Sequence, residues 1–487
     1  MWSPEDYHGR EVVVLGLAKS GVAVAKLFHR YGANVTVNDK KERQLCPEAA
    51  ELEALGICVI CGSHPETLIH PGVALLVKNP GIPYTVSPVV QAENLGIEVV
   101  TEVEVAYQIC KAPMIGITGS NGKTTTTTWV GLMLDAAGKR PIVAGNIGTP
   151  LSEAAEQADA DNWMVVELSS FQLKGTRSFR PRIALITNFY ETHLDYHGSM
   201  EDYVESKAKL LANQQDGDIF VVNEDDTVCR SLAARTSGKL LRFSCRQRLE
   251  SGVYLEPPLG TGSEEEAAGR QIVYRTADGA VTPILPAREV GIPGEFNLEN
   301  ALAATAVALS AGVDPALIGS VLHEFRGVEH RLEFVRESGG IVYYNNSKAT
   351  NPAATIKALE SFEQPIVLLA GGLERHMEYT ELLPYFRERV KAVVAFGQTR
   401  DKISRVAAEA GLDLIAVVDE QSLQSPAQSF GSASELAAAV LQEAVTRAKA
   451  FAEEGDIVLL SPACASWDMF ASYEERGRIF KQAVHNL

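Results

Sequence analysis

Several things are scarce in this sequence, and each shortage excludes a class of protein. No apolar stretch among its 487 residues reaches the roughly 18 that a bilayer-crossing helix needs, so stable membrane insertion is not expected. The first ten residues, MWSPEDYHGR, carry Glu5 and Asp6 and no apolar core, unlike a secretory signal. Bases are outnumbered: 44 Lys and Arg face 62 Asp and Glu, a formal net charge of −18. Non-specific nucleic-acid binding runs on positive surface, so nucleic acid is not an expected partner. Cysteine is sparse and odd in number, seven in all, which suits reduced thiols in a cytoplasmic protein. Cys58 and Cys61 do form a C-x-x-C in GICVICG. A zinc site needs a second ligand pair, and none stands at suitable spacing, so the stretch reads as a strand.

Apolar residues are plentiful at 46%, with 22% charged, the balance of a soluble globular chain. The length suggests about three domains. Helical and strand patterns alternate almost throughout, which is the signature of an α/β fold with parallel sheets. EVVVLGLAKSGVAVAKLFHRYGANVTVND reads as strand, glycine turn, amphipathic helix and strand, ending in Asp39. Its turn lacks the full G-x-G-x-x-G spacing, so a dinucleotide is not implied. A second unit opens at APMIGITGSNGK, and its helix is expected to stop at Gly138. Residues 245–295 and 421–434 break the alternation and read as loop-rich, the first dissolving into Gly, Pro and Glu with short hairpin-like pieces. The first of these is expected to be a poorly packed peripheral elaboration. Helix resumes in GEFNLENALAATAVALSAG, with Asn297 as its expected N-cap. A third unit near Gly327 repeats strands that end in small polar residues.

The stretch GITGSNGKTTTTTW carries the strongest chemistry. An ordinary phosphate loop, G-x-x-x-x-G-K-[ST], would need glycine at 117, where Ile117 stands. Gly116, Gly119 and Gly122 nevertheless let backbone amides turn toward an anion. Lys123 supplies charge to outer phosphates and Thr124 a hydroxyl for Mg2+. Five consecutive threonines are poor helix formers, an arrangement that makes sense if their hydroxyls face phosphate and metal. Glu167 ends an apolar strand, where a carboxylate is costly unless it meets a cation. By spacing alone His193, in YETHLDYHG, is an ordinary loop histidine.

Seven motifs in one order, GITGSNGKTT, VVELSSFQL, TNFYETHLDYHGSMEDYVESKAKL, HRLE, NNSKATNP, LLAGG and LSPACASWDMF, span nearly the whole chain. Together they resemble the Mur ligase family, in the branch that adds D-glutamate. That family uses the shorter Gly-x-x-Gly-Lys-[ST] loop, so the resemblance implies ATP. It also implies three domains: a Rossmann-like UDP-sugar domain at 1–101, a central ATPase-like domain with a parallel or mixed sheet at 102–327, and a Rossmann-like closing domain at 328–487. ATP would contact Gly119, Ser120, Asn121, Gly122, Lys123, Thr124, Thr125, Asn300, Arg331 and Asn346. The UDP-linked substrate would meet Lys19, Ser20, Asp39, Lys40, Asn146, Gln172 and His193. Two Mg2+ sites are implied, held by Thr124 and Glu167 and by His193 with Lys207. In family members the lysine at position 207 is carbamylated, and its shared helical face with Tyr203 favours it over Lys209, which reads as a surface lysine. Thr350, Arg375, Ser466 and Tyr473 would grip D-glutamate, with Lys348 beside the nucleotide in the catalytic set.

Two departures stand out. Arg375 occupies what is often a lysine position, which favours bidentate carboxylate binding. Asn346 replaces the usual acid near the ATP ribose, keeping hydrogen bonding while removing a charge that bears on nucleotide affinity. The implied reaction is ATP-dependent amide formation through an acyl phosphate, with UDP-N-acetylmuramoyl-L-alanine and D-glutamate as substrates and a cytoplasmic monomer as the acting form. The alternatives are a ligase like folylpolyglutamate synthase and a nucleotide-binding sensor that makes no product.

Overall fold

The computed structural model describes residues 2–375, 377–420, 423 and 432–487. Most of the loop-rich stretch 421–434 therefore lies outside the described residues. The chain divides into two compact units, one running up to Val290 and taking in Leu298–His323, the other made of Gly291–Asn297 and Glu324–Leu487.

The first unit holds two sheets. Strands β1 (Glu11–Leu15), β2 (Asn34–Asp39), β3 (Cys58–Cys61), β4 (Val73–Lys78) and β5 (Val99–Val100) pair in the order 3-2-1-4-5, all parallel. Val12, Val13, Val14 and Leu15 are all buried, because a parallel sheet is covered on both faces and its strands become continuous apolar runs. Cys58 and Cys61 lie on β3, as read from the sequence, and both are free thiols.

The second sheet contains β6 (Met114–Thr118), β7 (Pro141–Gly145), β8 (Trp163–Glu167), β9 (Ile183–Ile186), β10 (Ile219–Asn223), β11 (Lys239–Ser244), β12 (Gly252–Glu256), β13 (Gln271–Arg275) and β14 (Val281–Pro286). Its order is 14-13-12-11-10-9-6-8-7, parallel from β7 to β12 and antiparallel at the β12–β13–β14 edge. The expected α/β class with parallel and mixed sheets is what forms. β6 lies between β9 and β8, so the segments leaving all three strands emerge side by side at one carboxyl edge, where such folds place ligands.

Two local expectations need correction. Residues 245–295 are not a loosely packed appendage: β12, β13 and β14 extend the central sheet, and Val253, Leu255 and Ile272 are 0% exposed. Their apolar pieces are only about five residues long between Gly, Pro and Glu connectors, too short for a periodic signal to stand out. Asn297 is not an N-cap either. The helix spans Glu295–Ser310, and the Asn297 amide, two residues inside it, donates back to the Pro293 carbonyl. The helix Lys123–Ala136 does end as expected, with Gly138 at φ 68° just past it.

The second unit carries β15 (Glu333–Ser338), β16 (Ile341–Asn345), β17 (Ile366–Gly371), β18 (Val390–Phe396), β19 (Leu414–Val418) and β20 (Ile457–Leu460) in the order 15-16-20-17-18-19. All pairs are parallel except β15–β16.

If the β12–β14 edge belongs to the core, Leu255→Ala should cost about 2–5 kcal/mol by urea unfolding. A loss below about 0.5 kcal/mol, typical of surface changes, would return this segment to the periphery.

Candidate active site

β6 runs straight into the loop 119–122, and the helix Lys123–Ala136 begins immediately after it. Gly119 has φ 144° and Gly122 φ 80°, shapes that L side chains rarely adopt. A Cβ at 119 would collide with the Thr187 hydroxyl and one at 122 with the Asn300 side chain. The loop is braced from the segment leaving β9. Ser120 N donates to Asn188 O at 2.9 Å, Asn121 N to Asn188 Oδ1 at 2.9 Å, and the Thr187 hydroxyl to Asn121 O at 2.6 Å. The Lys123 ammonium donates to the Gly119 and Ser120 carbonyls, both at 2.9 Å, and is thereby held over the loop. Thr124 and Thr125 sit at the loop end of the helix. The other threonines do not follow the expectation that all five face phosphate. Thr126 and Thr127 are 0% exposed inside the protein, and the Thr128 hydroxyl donates back to the Thr124 carbonyl.

Glu167 ends β8 in register with Ile117 of β6 and is 2% exposed. Asn146 donates to its Oε1 at 2.8 Å, while Oε2 is buried with no hydrogen-bond partner among the described residues. A buried carboxylate oxygen left unpaired is costly, so this orphan atom, at the carboxyl end of the strand beside β6, fits a divalent cation. Among the described residues no group of three His, Cys, Asp or Glu side chains forms a ready metal cluster.

His193 is held at φ 58° at the start of the single turn Leu194–His197. Its ring meets Phe171 edge-on at 5.0 Å and Tyr203 at 6.4 Å. Burial, then the charges of Lys123 and Lys207, lower its pKa, which favours the neutral ring that a metal requires. Lys207 is 2% exposed and no ordinary surface lysine. Its ammonium donates to Thr118 Oγ1 at 3.2 Å and Gly119 O at 2.9 Å and lies 4.7 Å over the Tyr203 ring, the residue one turn before it. Burial, then Lys123, lower its pKa well below 10.5. Lys209, read as a surface lysine, is half-buried and donates to the Lys174 and Thr176 carbonyls.

Lys19, Ser20, Asn146 and Gln172 line one cavity of about 360 Å³, together with Pro80, Gly81 and Phe171. Gln172 has a second task. Its side-chain oxygen accepts from Ser169 N at 2.8 Å and Ser169 Oγ at 2.9 Å, closing a capping box. Asp39, Lys40 and His193 are not among the lining residues. Asp39 instead accepts from Leu17 N at 2.8 Å and Lys41 N at 2.9 Å, pinning the glycine turn to the end of β2, and Lys40 is exposed. The Pro80–Gly81 turn escaped the sequence reading, since no motif marks it, and Phe171, though inside VVELSSFQL, was given no role there.

In the second unit the remaining candidates follow the carboxyl ends of β16, β17 and β20, apart from Arg331, which precedes β15. Asn346 is satisfied as a neutral amide: it accepts from Leu332 N at 3.2 Å and donates to Ser461 Oγ at 3.1 Å. The Lys348 ammonium lies 5.5 Å over the Tyr473 ring, and Arg331 is close enough to Tyr473 to bear on its titration. The Arg375 guanidinium lies 5.3 Å from the ring of Trp467, which follows the buried Ser466. Thr350 joins these groups through its backbone, its amide donating to the Lys348 carbonyl at 2.9 Å. Arg476, in the helix Tyr473–His485, is 0% exposed and ties two of these loops. It donates to Ser347 Oγ at 3.0 Å, Ser347 O at 2.8 Å and Cys464 O at 3.2 Å.

A glycine-lysine-threonine loop at the carboxyl edge of a largely parallel sheet, with a buried acid and a buried lysine converging on it, defines a nucleotide-using α/β enzyme. Comparison with known proteins narrows the class. Residues 10–101 match a Mur ligase MurD-like N-terminal domain, 117–308 a Mur ligase middle domain, and 330–464 a Mur ligase glutamate ligase domain. A protein named UDP-N-acetylmuramoylalanine–D-glutamate ligase from Geobacillus sp. is 47% identical over 482 residues, 99% of this chain and 98% of that one. One of the same name from Bacillus mycoides is 45% identical, covering 99% of each. The fold is also that of UDP-N-acetylmuramate-alanine ligase MurC from Thermotoga maritima, with TM-score 0.55 and 20% identity over 98% of this chain and 100% of the other. The MurF ligase from Thermotoga maritima, solved in complex with ADP, gives TM-score 0.53 at 17% identity over 100% and 97%. The chain belongs to the Mur ligase family.

Lys207 holds its proton less readily folded than unfolded, so it opposes folding below pH 10.5, and that opposition eases as pH rises from its folded value. In CO2-depleted buffer, unfolding free energy should climb as pH rises toward 10.5, this one group contributing up to about 1.4 kcal/mol per pH unit. Lys207→Met should show a smaller climb. Equal slopes in the two proteins would mean that the ammonium is not kept from water.

Proposed function

We propose that the chain joins the amine of D-glutamate to the alanyl carboxylate of UDP-N-acetylmuramoyl-L-alanine, converting ATP to ADP and phosphate, a step in building the peptidoglycan precursor. One observation carries this reading: end-to-end identity of 45–47% to proteins named for that ligation. The site geometry supports it, because the loop, Glu167, His193 and Lys207 are gathered from adjacent strand ends. We further propose functional parts at 1–101, 102–327 and 328–487, and a cytoplasmic setting, where ATP and a nucleotide-linked sugar are at hand.

A carboxylate is a poor electrophile and must be activated first. In this reading Lys19, Ser20, Asn146 and Gln172 hold the UDP-linked substrate in their shared cavity, with Asp39 and Lys40 toward its uridine end. Its alanyl oxygen attacks the γ-phosphorus of ATP, the bridging P–O bond breaks, and ADP leaves. The amides of residues 119–122 and the Lys123 ammonium take up the charge that develops, while Thr125, Asn300, Arg331, Asn346 and Lys348 contact the rest of the nucleotide. Thr124 and Glu167 would hold one Mg2+, and His193 with carbamylated Lys207 a second. Such ions, when bound, would neutralise phosphate charge. The buried amine of Lys207 is disposed to react with CO2, since a lowered pKa leaves its nitrogen lone pair free. Arg375, Thr350, Ser466 and Tyr473 would bind the two carboxylates of D-glutamate. Its neutral amine attacks the acyl phosphate, the tetrahedral adduct expels phosphate, and the amide nitrogen loses its proton.

The test is phosphate release with ATP, Mg2+, UDP-N-acetylmuramoyl-L-alanine and either D- or L-glutamate. Release that needs both the nucleotide sugar and the D-isomer supports the ligase. Release without them indicates a bare ATPase, and none at all a sensor. Lys123→Ala should lower turnover by about 10²–10³-fold with the fold intact. Arg375→Ala should raise KM for D-glutamate by about 10–100-fold, the worth of one charge-assisted hydrogen bond, and an unchanged KM would remove Arg375 from the pocket. Intact mass should report one added CO2 on the active enzyme. Full activity with a free Lys207 amine would dismiss the carbamate.

A further inference from the structure

Lys78 closes β4 and is 1% exposed, yet nothing in the reaction above uses it. Its ammonium donates to Pro80 O at 3.2 Å, Asn79 O at 3.4 Å and the Tyr196 hydroxyl at 3.4 Å, and it lies 4.5 Å over the Tyr84 ring. Burial, then the nearby charge of Lys174, push its pKa down to about 7. A lysine kept out of water is costly, and an apolar side chain would fill the same space without that cost. What sets this position apart is what it joins.

The turn 79–82 that Lys78 holds forms part of a wall of the 360 Å³ cavity, through Pro80 and Gly81, with Lys19 and Ser20 also lining that space. Its other flank is packed on the glycine turn, where the Asn79 side chain fills the space that a Cβ at Gly16 would need. Tyr196, three residues after His193, donates its hydroxyl to Pro80 O at 3.1 Å and reaches Ile82 O at 3.3 Å. Its ring meets Phe171 edge-on at 4.5 Å. Phe171 lines the same cavity and touches His193. A continuous set of contacts therefore runs from the cavity wall through Lys78 and Tyr196 to the His193 turn.

We propose that Lys78 is a positioning residue for the nucleotide-sugar substrate, fixing the 79–82 wall of its cavity relative to His193 by clamping that turn to Tyr196. The substrate's identity rests on the function proposed above. Lys78 touches no substrate itself and acts through the wall.

The experiment compares wild type, Lys78→Met, Tyr196→Phe and the double variant. Calorimetry gives Kd for UDP-N-acetylmuramoyl-L-alanine and for a non-hydrolysable ATP analogue, and kinetics give KM for D-glutamate. Lys78→Met should weaken nucleotide-sugar binding by about tenfold while the other two constants stay within about twofold. Tyr196→Phe should act in the same direction, and the double variant should be little worse than Lys78→Met, because one clamp is broken in each. The thermal midpoint of Lys78→Met should not fall. Unchanged nucleotide-sugar binding, an equal loss for all three ligands, or additive effects would each overturn the proposal. Wild type that binds the nucleotide sugar without ligating it would sink the reaction and leave the clamp testable by Kd. Wild type that ligates, with Lys78→Met binding normally, would sink the clamp alone. Failure of wild type to bind the nucleotide sugar would overturn both.

Discussion

The backbone between Thr118 and Lys123 approaches its neighbours too closely to carry side chains at 119 and 122. The rest of the active unit is arranged around that fact. Gly119 lies against the Thr187 hydroxyl and Gly122 against Asn300, so the phosphate loop is shaped by the segment leaving β9 and by the helix Glu295–Ser310. Rigid packing of this kind holds backbone donors in place before any phosphate arrives, and preorganisation is where electrostatic catalysis gains most. Because β6 is flanked by β8 and β9, the same edge also receives Glu167 and the His193 loop. The fold thus gathers groups far apart in the chain, as the Lys207 to Gly119 hydrogen bond, spanning 88 residues, illustrates.

Around this loop the protein keeps charged groups where water does not reach. Among the described residues one oxygen of Glu167 has no hydrogen-bond partner, and the Lys207 ammonium meets a hydroxyl, a carbonyl and a ring. Such groups weaken the fold, and folded proteins retain them mainly where ligands or chemistry repay the cost. Lys78 belongs to the same pattern one layer out, at the junction between the first sheet and the His193 turn. The second unit follows a different rule: buried Arg476 meets only neutral acceptors and stitches together the loops after β16 and β20.

Much of this was legible in the linear chain. The strand-loop-helix of residues 114–136, the strand ending in Glu167 and the glycine stop at 138 follow from apolar runs and glycine placement, which are local properties. Ordered motifs carried the family. Other features were illegible for equally physical reasons. β12–β14 are strands because a sheet edge accepts them, and five-residue apolar pieces do not announce that. Asn297 offers the chemistry of an N-cap, but the helix had room to begin two residues earlier. The motif register favoured Lys207 over Lys209, but that Lys209 is half-buried rather than on the surface was decided by packing alone.

By itself the sequence determined most of the segments that become strands and helices (the β12–β14 edge excepted), where the backbone must turn through left-handed conformations, and which residue types are available for phosphate, metal and carboxylate. These depend on torsional preference and on period, which each segment carries within itself. Only the tertiary structure decided that Lys19, Ser20, Asn146 and Gln172 share one cavity while Asp39 turns to its own glycine loop, that Thr126 and Thr127 face the core, and that Lys78 meets Tyr196. Those outcomes depend on which distant groups compete for the same buried space, and burial is a property of the assembled molecule alone.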